Sequence, residues 1–298
     1  MPSTWLLLVI YLLLFIAFFY GAMAWRARQR QDRRPFPDNF KLLRGPGESQ
    51  HRLLTALEER QIQYLLLAFA LPIGIAALLL LATTHLSGGW QIAGIITALA
   101  GLIISLLLVA RFLANQVIAS NNRYLGYFGE RIVAEALEPL KVQGYRVFHD
   151  VPAGDAKHPF NLDHVVVGPS GVFAIETKTR RKGRARQGFA AHEIIYDGKV
   201  LAYPWGEDRH GLDQAQRQAR WLTDFLGHLL GVAIAVQPIL TFPGWMIMRR
   251  GTGPVTVLNP REIPAAVLPR ASAAPVLSAA QIDLVARQLE ARCRDVEY

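Results

Sequence analysis

Asn161-Leu-Asp-His-Val-Val-Val-Gly-Pro-Ser-Gly-Val-Phe-Ala-Ile-Glu-Thr-Lys178 puts two carboxylates and a lysine on what reads as a single β-hairpin. Residues 162–167 and 172–178 are rich in β-branched and apolar side chains. Gly168-Pro-Ser-Gly171 between them has turn composition, so the two runs pair antiparallel. With Val167 facing Val172, the register sets Asp163 opposite Glu176. Side chains alternate faces along a strand, so Glu176 and Lys178 point the same way, and directly opposed partners stand with Cβ atoms roughly 5 Å apart. Facing carboxylates repel, which implies a cation between them. Magnesium, or manganese in its place, suits an all-oxygen set of one or two carboxylates completed by water and substrate phosphate. Phe173 and Ile175 imply a packed opposite face. The alternative is a surface hairpin on which Lys178 neutralises Glu176 as an ordinary exposed ion pair.

Working outward, the chain has 298 residues, a net charge of +9 and a mean hydropathy of +0.21, too apolar for an ordinary soluble protein. Residues 5–24, 62–84 and 90–110 carry no charged side chain, and each is long enough to cross a bilayer. Arg26, Arg28, Arg30, Arg33 and Arg34 follow the first, which places the amino terminus outside and the next segment in the cytoplasm. Residues 25–61 read as a cytoplasmic linker, irregular from Arg34 to Glu48 because of its prolines and glycines. The second and third spans are joined by His85-Leu-Ser-Gly-Gly89, and Arg60 and Arg111 flank their inner ends. No ionisable residue lies within a span, so the expectation is an anchor in the lipid bilayer rather than a transporter. This is a multi-pass protein of the bacterial inner-membrane kind, with residues 1–120 as anchor and the remainder cytoplasmic.

From residue 121 the composition becomes that of a mixed α/β domain, expected over 121–245, with a carboxy-terminal extension over 246–298. A helix is predicted over 123–138, ending before Pro139 and carrying Gly129-Glu130. A strand over 145–151 and a loop over 152–159 lead into the hairpin. Arg180, Arg181, Lys182, Arg184 and Arg186 then form a basic loop beside the carboxylates, suited to a polyanion: nucleic acid, or anionic lipid headgroups. Asp197-Gly198 marks a second hairpin at the sheet edge. A helix over 212–230 carries Gln214 and Gln218 one turn apart, 232–241 reads as a buried strand, and Ser278-Ala-Ala-Gln281 is a capping box. Cys293, the only cysteine, excludes an intramolecular disulfide. The sequence has no phosphate loop, zinc-ligand spacing or serine elbow.

The succession Gly129-Glu130, Asp163 through Gly168-Pro-Ser-Gly171 to Glu176-Thr-Lys178, then a helix with Gln214, resembles the nuclease-related domain, NERD, over residues 124–242. That family belongs to the PD-(D/E)xK restriction-endonuclease-like superfamily. The resemblance implies an α/β fold, a mixed sheet flanked by helices, here preceded by three transmembrane helices. By resemblance Asp163 and Glu176 hold Mg2+ or Mn2+, Glu130 completes the metal shell, Lys178 positions the attacking water and Gln214 belongs to the same catalytic group. The implied activity is metal-dependent hydrolysis of nucleic-acid phosphodiesters, DNA ahead of RNA, bound through the basic loop. Leu162 stands where the wider superfamily usually has proline, which removes no ligand. A non-catalytic nucleic-acid-binding or scaffold module of a membrane complex is the alternative, since fold does not fix function.

Overall fold

The hairpin forms with the expected register. Strands β3 (Pro159–Gly168) and β4 (Gly171–Thr177) pair antiparallel with Val167 facing Val172 and His164 facing Ile175. Alternation sorts their side chains to two sides, and both sides are covered. Val165, Val167, Val172 and Ala174 pack with Ala219, Leu222 and Leu226 of α4 (His210–Leu230) and with Val285 and Leu289 of α6 (Ala279–Cys293). Val166, Phe173 and Ile175 pack instead with Val133, Leu137 and Leu140 of α3 (Gly89–Val142) and with Ile263 and Val267 of α5 (Ile263–Val267). Every residue of β4 is buried, which removes the surface-hairpin alternative. The result is a mixed α/β arrangement, helices on both faces of a sheet.

In this computed structural model, residues 2–31, 40–232, 234–269 and 274–297 are described. The sheet order is β10 (Thr256–Leu258), β8 (Val236–Thr241), β4, β3, β2 (Arg146–Gly154). The three strands β2, β3 and β4 are antiparallel neighbours, whereas β4, β8 and β10 run parallel, so the sheet is mixed. Strand β2 runs further than expected, and the loop before β3 shrinks to four residues, 155–158. The Asp197-Gly198 hairpin joins β5 (Glu193–Tyr196) to β6 (Leu201–Tyr203) through residues 197–200. Asp197 accepts hydrogen bonds there from the amides of Lys199 and Val200. These strands do not extend the main sheet; with β7 (Gly206–Asp208) and β9 (Met246–Arg249) they form a second one. Two further short strands are β1 (Leu42–Leu43) and β11 (Arg294–Val296).

The helices differ most from expectation. Helix α1 (Pro2–Gln31) contains the uncharged run 5–24, although the side chains of residues 2–9 and 12 lie outside the described ones. The arginines and prolines at 32–39 lie outside them too. Helix α2 (Glu48–Thr83) starts well before the apolar run and continues through it. Helix α3 runs unbroken from the apolar run to Val142, so the separate helix over 123–138 does not exist, and Pro139 sits within the last turn. Proline there forfeits one hydrogen bond, and burial of Leu137 and Leu140 holds the turn in place. Two helices, α2 and α3, are thus long and apolar enough to cross a membrane, with only 6 % and 11 % of their apolar windows buried. Gly94 and Gly101 lie against Thr83 and Leu79, where an added Cβ would stand 2.5 and 2.8 Å from those side chains, so small residues let α2 and α3 approach.

The segment before α2 is tied into the α/β layers. Arg44 forms a two-pronged pair with Asp295 (2.7 and 2.6 Å) and an ion pair with Asp150 (2.9 Å), and Ser49 donates to Asp150 through its amide and its hydroxyl. Asp150 has φ 47°, a left-handed backbone uncommon outside glycine. The β2–β3 ladder skips it, running to His149 opposite His164 and resuming at Val151 opposite Leu162. Removing one partner of a buried ion pair leaves the other charge stranded. Arg44→Ala is therefore expected to destabilise the protein by about 3–5 kcal/mol, whereas Arg52→Ala, on an exposed arginine that also reaches Asp295, costs under about 1 kcal/mol. Thermal melts of the detergent-solubilised chain check this, and equal losses in the two variants would contradict it.

Candidate active site

The register that pairs His164 with Ile175 brings Asp163 and Glu176 to the open end of the β3–β4 pair. Instead of extending the ladder, the Asp163 carboxylate accepts the Thr177 amide at 2.7 Å. Lys178 follows directly, its own amide donating to the Thr241 carbonyl at the end of β8. Its ammonium lies 2.6 Å from Glu176 Oε1 and donates to Gln214 Oε1 at 2.8 Å. Gln214 is in the second turn of α4 and Glu130 enters from α3. Gly129 allows this approach: an added Cβ would stand 1.9 Å from Thr179 Cγ2. Glu130, Asp163, Glu176, Lys178 and Gln214 thus line one cleft of about 350 Å³.

The electrostatics are those of crowded acids. Glu176 is 2 % exposed, and its second oxygen, like one oxygen of Glu130, is buried without a hydrogen-bond partner. Burial, then the charges of Asp150 and Glu176, pushes the Glu130 carboxyl up to about 8, against opposing pulls from the Gly47 amide and Lys178. Burial, then Glu176 and Glu130, likewise holds Asp163 well above the ordinary carboxylate range. Orphaned buried oxygens on neighbouring hard-donor groups fit a hard divalent cation. As they stand, no three His, Cys, Asp or Glu side chains among the described residues make a metal-holding group. A site of one or two carboxylates that leaves the remaining positions to water and substrate is the pattern typical of magnesium.

Of the expected basic residues only Arg180 reaches the cleft, 3.6 Å from Asp208. Arg181, Lys182, Arg184 and Arg186 are exposed along the following loop. Lys182 lies over the Trp245 ring and Arg186 over Phe189, and Arg181 touches Asn122. The cleft also contains residues the sequence reading missed: Gln50 from the first turn of α2, Thr177, Thr179 and His210. Gln50 lies far from the motif in sequence and in no pattern of its own. Asp150 is the acid missed behind the cleft, since nothing local marks an aspartate in mid-strand as facing Glu130.

Residues 125–243 match the nuclease-related domain family, NERD. The chain carries a NERD domain. No curated protein and no solved structure matches the chain. All five candidate catalytic and metal-holding residues fall within the NERD domain, whereas Gln50 and the Arg44 brace lie outside it.

The raised carboxyl of Glu130 makes a pH prediction. Its value is 4.5 ordinarily and about 8 in the folded chain. The folded state then keeps a proton that the unfolded state has released, so stability falls as pH rises from 4.5 through about 8. Glu130→Gln removes that loss. In chelator, its melting advantage over the wild type should grow between pH 5 and pH 8.5, by at most about 1.4 kcal/mol per pH unit. An advantage that stays constant over this window would contradict the assignment.

Proposed function

We propose that the chain is a membrane-anchored, metal-dependent nuclease with a restriction-endonuclease-like NERD domain acting at the cytoplasmic face. The observation that carries the reading is the placement of Lys178. An ammonium has three donors, and two are used on Glu176 and Gln214, which leaves one for a ligand in the cleft. Bound at Asp163 and Glu176, with Glu130 completing the oxygen set, magnesium or manganese would supply positive charge to a phosphoryl oxygen and a bound water of lowered pKa. Lys178 binds and orients the phosphodiester beside that water. Gln214 accepts from Lys178 and fixes its ammonium. Asp163, locked by the Thr177 amide, keeps its other oxygen for the cleft. The loop from Arg180 to Arg186 contributes attraction to the phosphate backbone rather than chemistry. DNA is favoured over RNA only by the likeness to restriction-type nucleases.

Membrane anchoring is supported by α2 and α3, and the uncharged run in α1 makes a third span. Along helix α3 Glu130 stands about 30 Å beyond Ala110, at roughly 1.5 Å per residue, which would hold the cleft clear of the headgroups. Reporter fusions test the orientation. A reporter active only outside the cytoplasm should be silent at Tyr298, and a strong signal there would overturn it.

The activity is tested on the full chain in detergent, because a fragment starting at residue 121 would lack Arg44, Ser49 and Gln50. Wild type and Lys178→Ala are incubated with single- and double-stranded DNA and RNA in magnesium, manganese or chelator. Loss of one transition-state charge predicts a roughly hundredfold to thousandfold slower cleavage. Arg181→Ala and Arg184→Ala are expected to weaken binding and flatten its salt dependence while cleavage persists. Equal residual activity in wild type and Lys178→Ala would point to a contaminant and favour a binding module without turnover.

A further inference from the structure

A second pocket opens from the same helix that carries Gln214. About 320 Å³ in volume, it is lined by Phe160, Gln214, Arg217, Gln218 and Trp221. Gln214 therefore has one side in the cleft beside Lys178 and another in this pocket. Two of the walls are aromatic rings set nearly at right angles, Phe160 and Trp221, at 5.6 Å and 78°. Trp221 is fixed from behind: it lies parallel to Phe225, and the Arg292 guanidinium sits over both rings. Gln218 is only 4 % exposed, and its amide nitrogen donates to the Asn161 carbonyl. Arg217 at the rim is exposed and has no ion-pair partner among the described residues.

Each feature corresponds to one part of a nucleotide. A rigid indole offers a base a stacking surface without further ordering cost, which is how single strands are held with little regard to sequence. A buried amide that is both donor and acceptor can meet the polar edge of a base. An unpaired arginine at the rim matches a backbone phosphate. The volume is at the small end of ligand sites, which run from about 300 to 1,000 Å³. We propose that this pocket takes the unpaired base of the nucleotide next to the phosphate at Lys178, and that the substrate class is therefore single-stranded nucleic acid. The proposal rests on the nuclease reading for the phosphate and on the pocket alone for the base. A base stacked and paired in duplex cannot enter without being extruded, which costs a few kcal/mol.

The test separates the two readings. Binding of the full chain in detergent, with chelator present, is measured by anisotropy against a fluorescent DNA single strand, its blunt duplex, and a set of single strands each carrying one abasic position. The intact strand should bind at least about tenfold tighter than duplex. One abasic position should weaken wild-type binding about five- to hundredfold. Trp221→Ala should weaken the intact strand to the same extent and become indifferent to that abasic position, while Trp221→Phe keeps most of the affinity. Equal affinity for strand and duplex, or neutrality of every abasic position in the wild type, overturns the proposal without any variant having to fold. An abasic loss that adds to that of Trp221→Ala also overturns it. Cleavage with magnesium is followed in parallel. Base-dependent binding without cleavage sinks the nuclease reading and keeps the pocket. Duplex cut as fast as single strand, with no abasic effect, keeps the nuclease and sinks the pocket.

Discussion

Glu176 is almost completely buried, and among the described residues the one cation touching it is Lys178, two residues further along the same chain. Around this pair stand the buried Glu130 and the partly buried Asp163, and one ammonium cannot neutralise three carboxylates. Burial and mutual repulsion push the carboxyl of Glu130 up to about 8 and that of Asp163 well above the ordinary carboxylate range, and oxygens of Glu130 and Glu176 are left without partners. Uncompensated charge is costly in such surroundings, so acids crowded in this way carry unfavourable electrostatics. Everything else about the cleft follows from having to keep these acids together.

The scaffold does so by close backbone approach and by a brace. Gly129 admits Thr179 against α3, so that Glu130 reaches the strand ends. Gly47, in a left-handed conformation at the start of α2, packs its backbone onto Tyr127 and turns its amide toward Glu130. Behind them Asp150 would be a fourth uncompensated acid, and Arg44 with Ser49 removes that liability. Asp150 and Asp163 fall in the same gap of the β2–β3 ladder, and each takes its hydrogen bonds from elsewhere. One break in a sheet thus serves two acids, one satisfied by arginine and one left facing the cleft.

The parts legible in the sequence are those with a local period. The β3–β4 register follows from alternating apolar residues around a four-residue turn, and with it the opposition of Asp163 and Glu176. Helix α4 follows from its apolar stripe, and Gln214 with it. The second sheet had no such signal, because its strands are three or four residues long and β5 pairs in parallel with the distant β9. The continuity of α3 was hidden by the change in composition at residue 121 and by Pro139, which both mimic a boundary. Arg44 could not be placed either: its partners lie 106 and 251 residues away, and long-range ion pairs leave no periodic trace.

These misreadings share a physical cause. Both α2 and α3 contribute to the apolar hairpin at one end and to the cleft at the other, through Gln50 and Glu130. A sequence divides where its solvent changes, from lipid-like to water-like, but a helix has no reason to stop there as long as its hydrogen bonds continue. The apolar hairpin and the NERD domain are consequently continuous through α3, while α2 brings Gln50 to the cleft from outside the family match. The cleft owes its position to elements that the family match at residues 125–243 only partly includes, since α2 and the Arg44 segment lie before it. A single continuous helix ties Glu130 to the apolar hairpin along a fixed length.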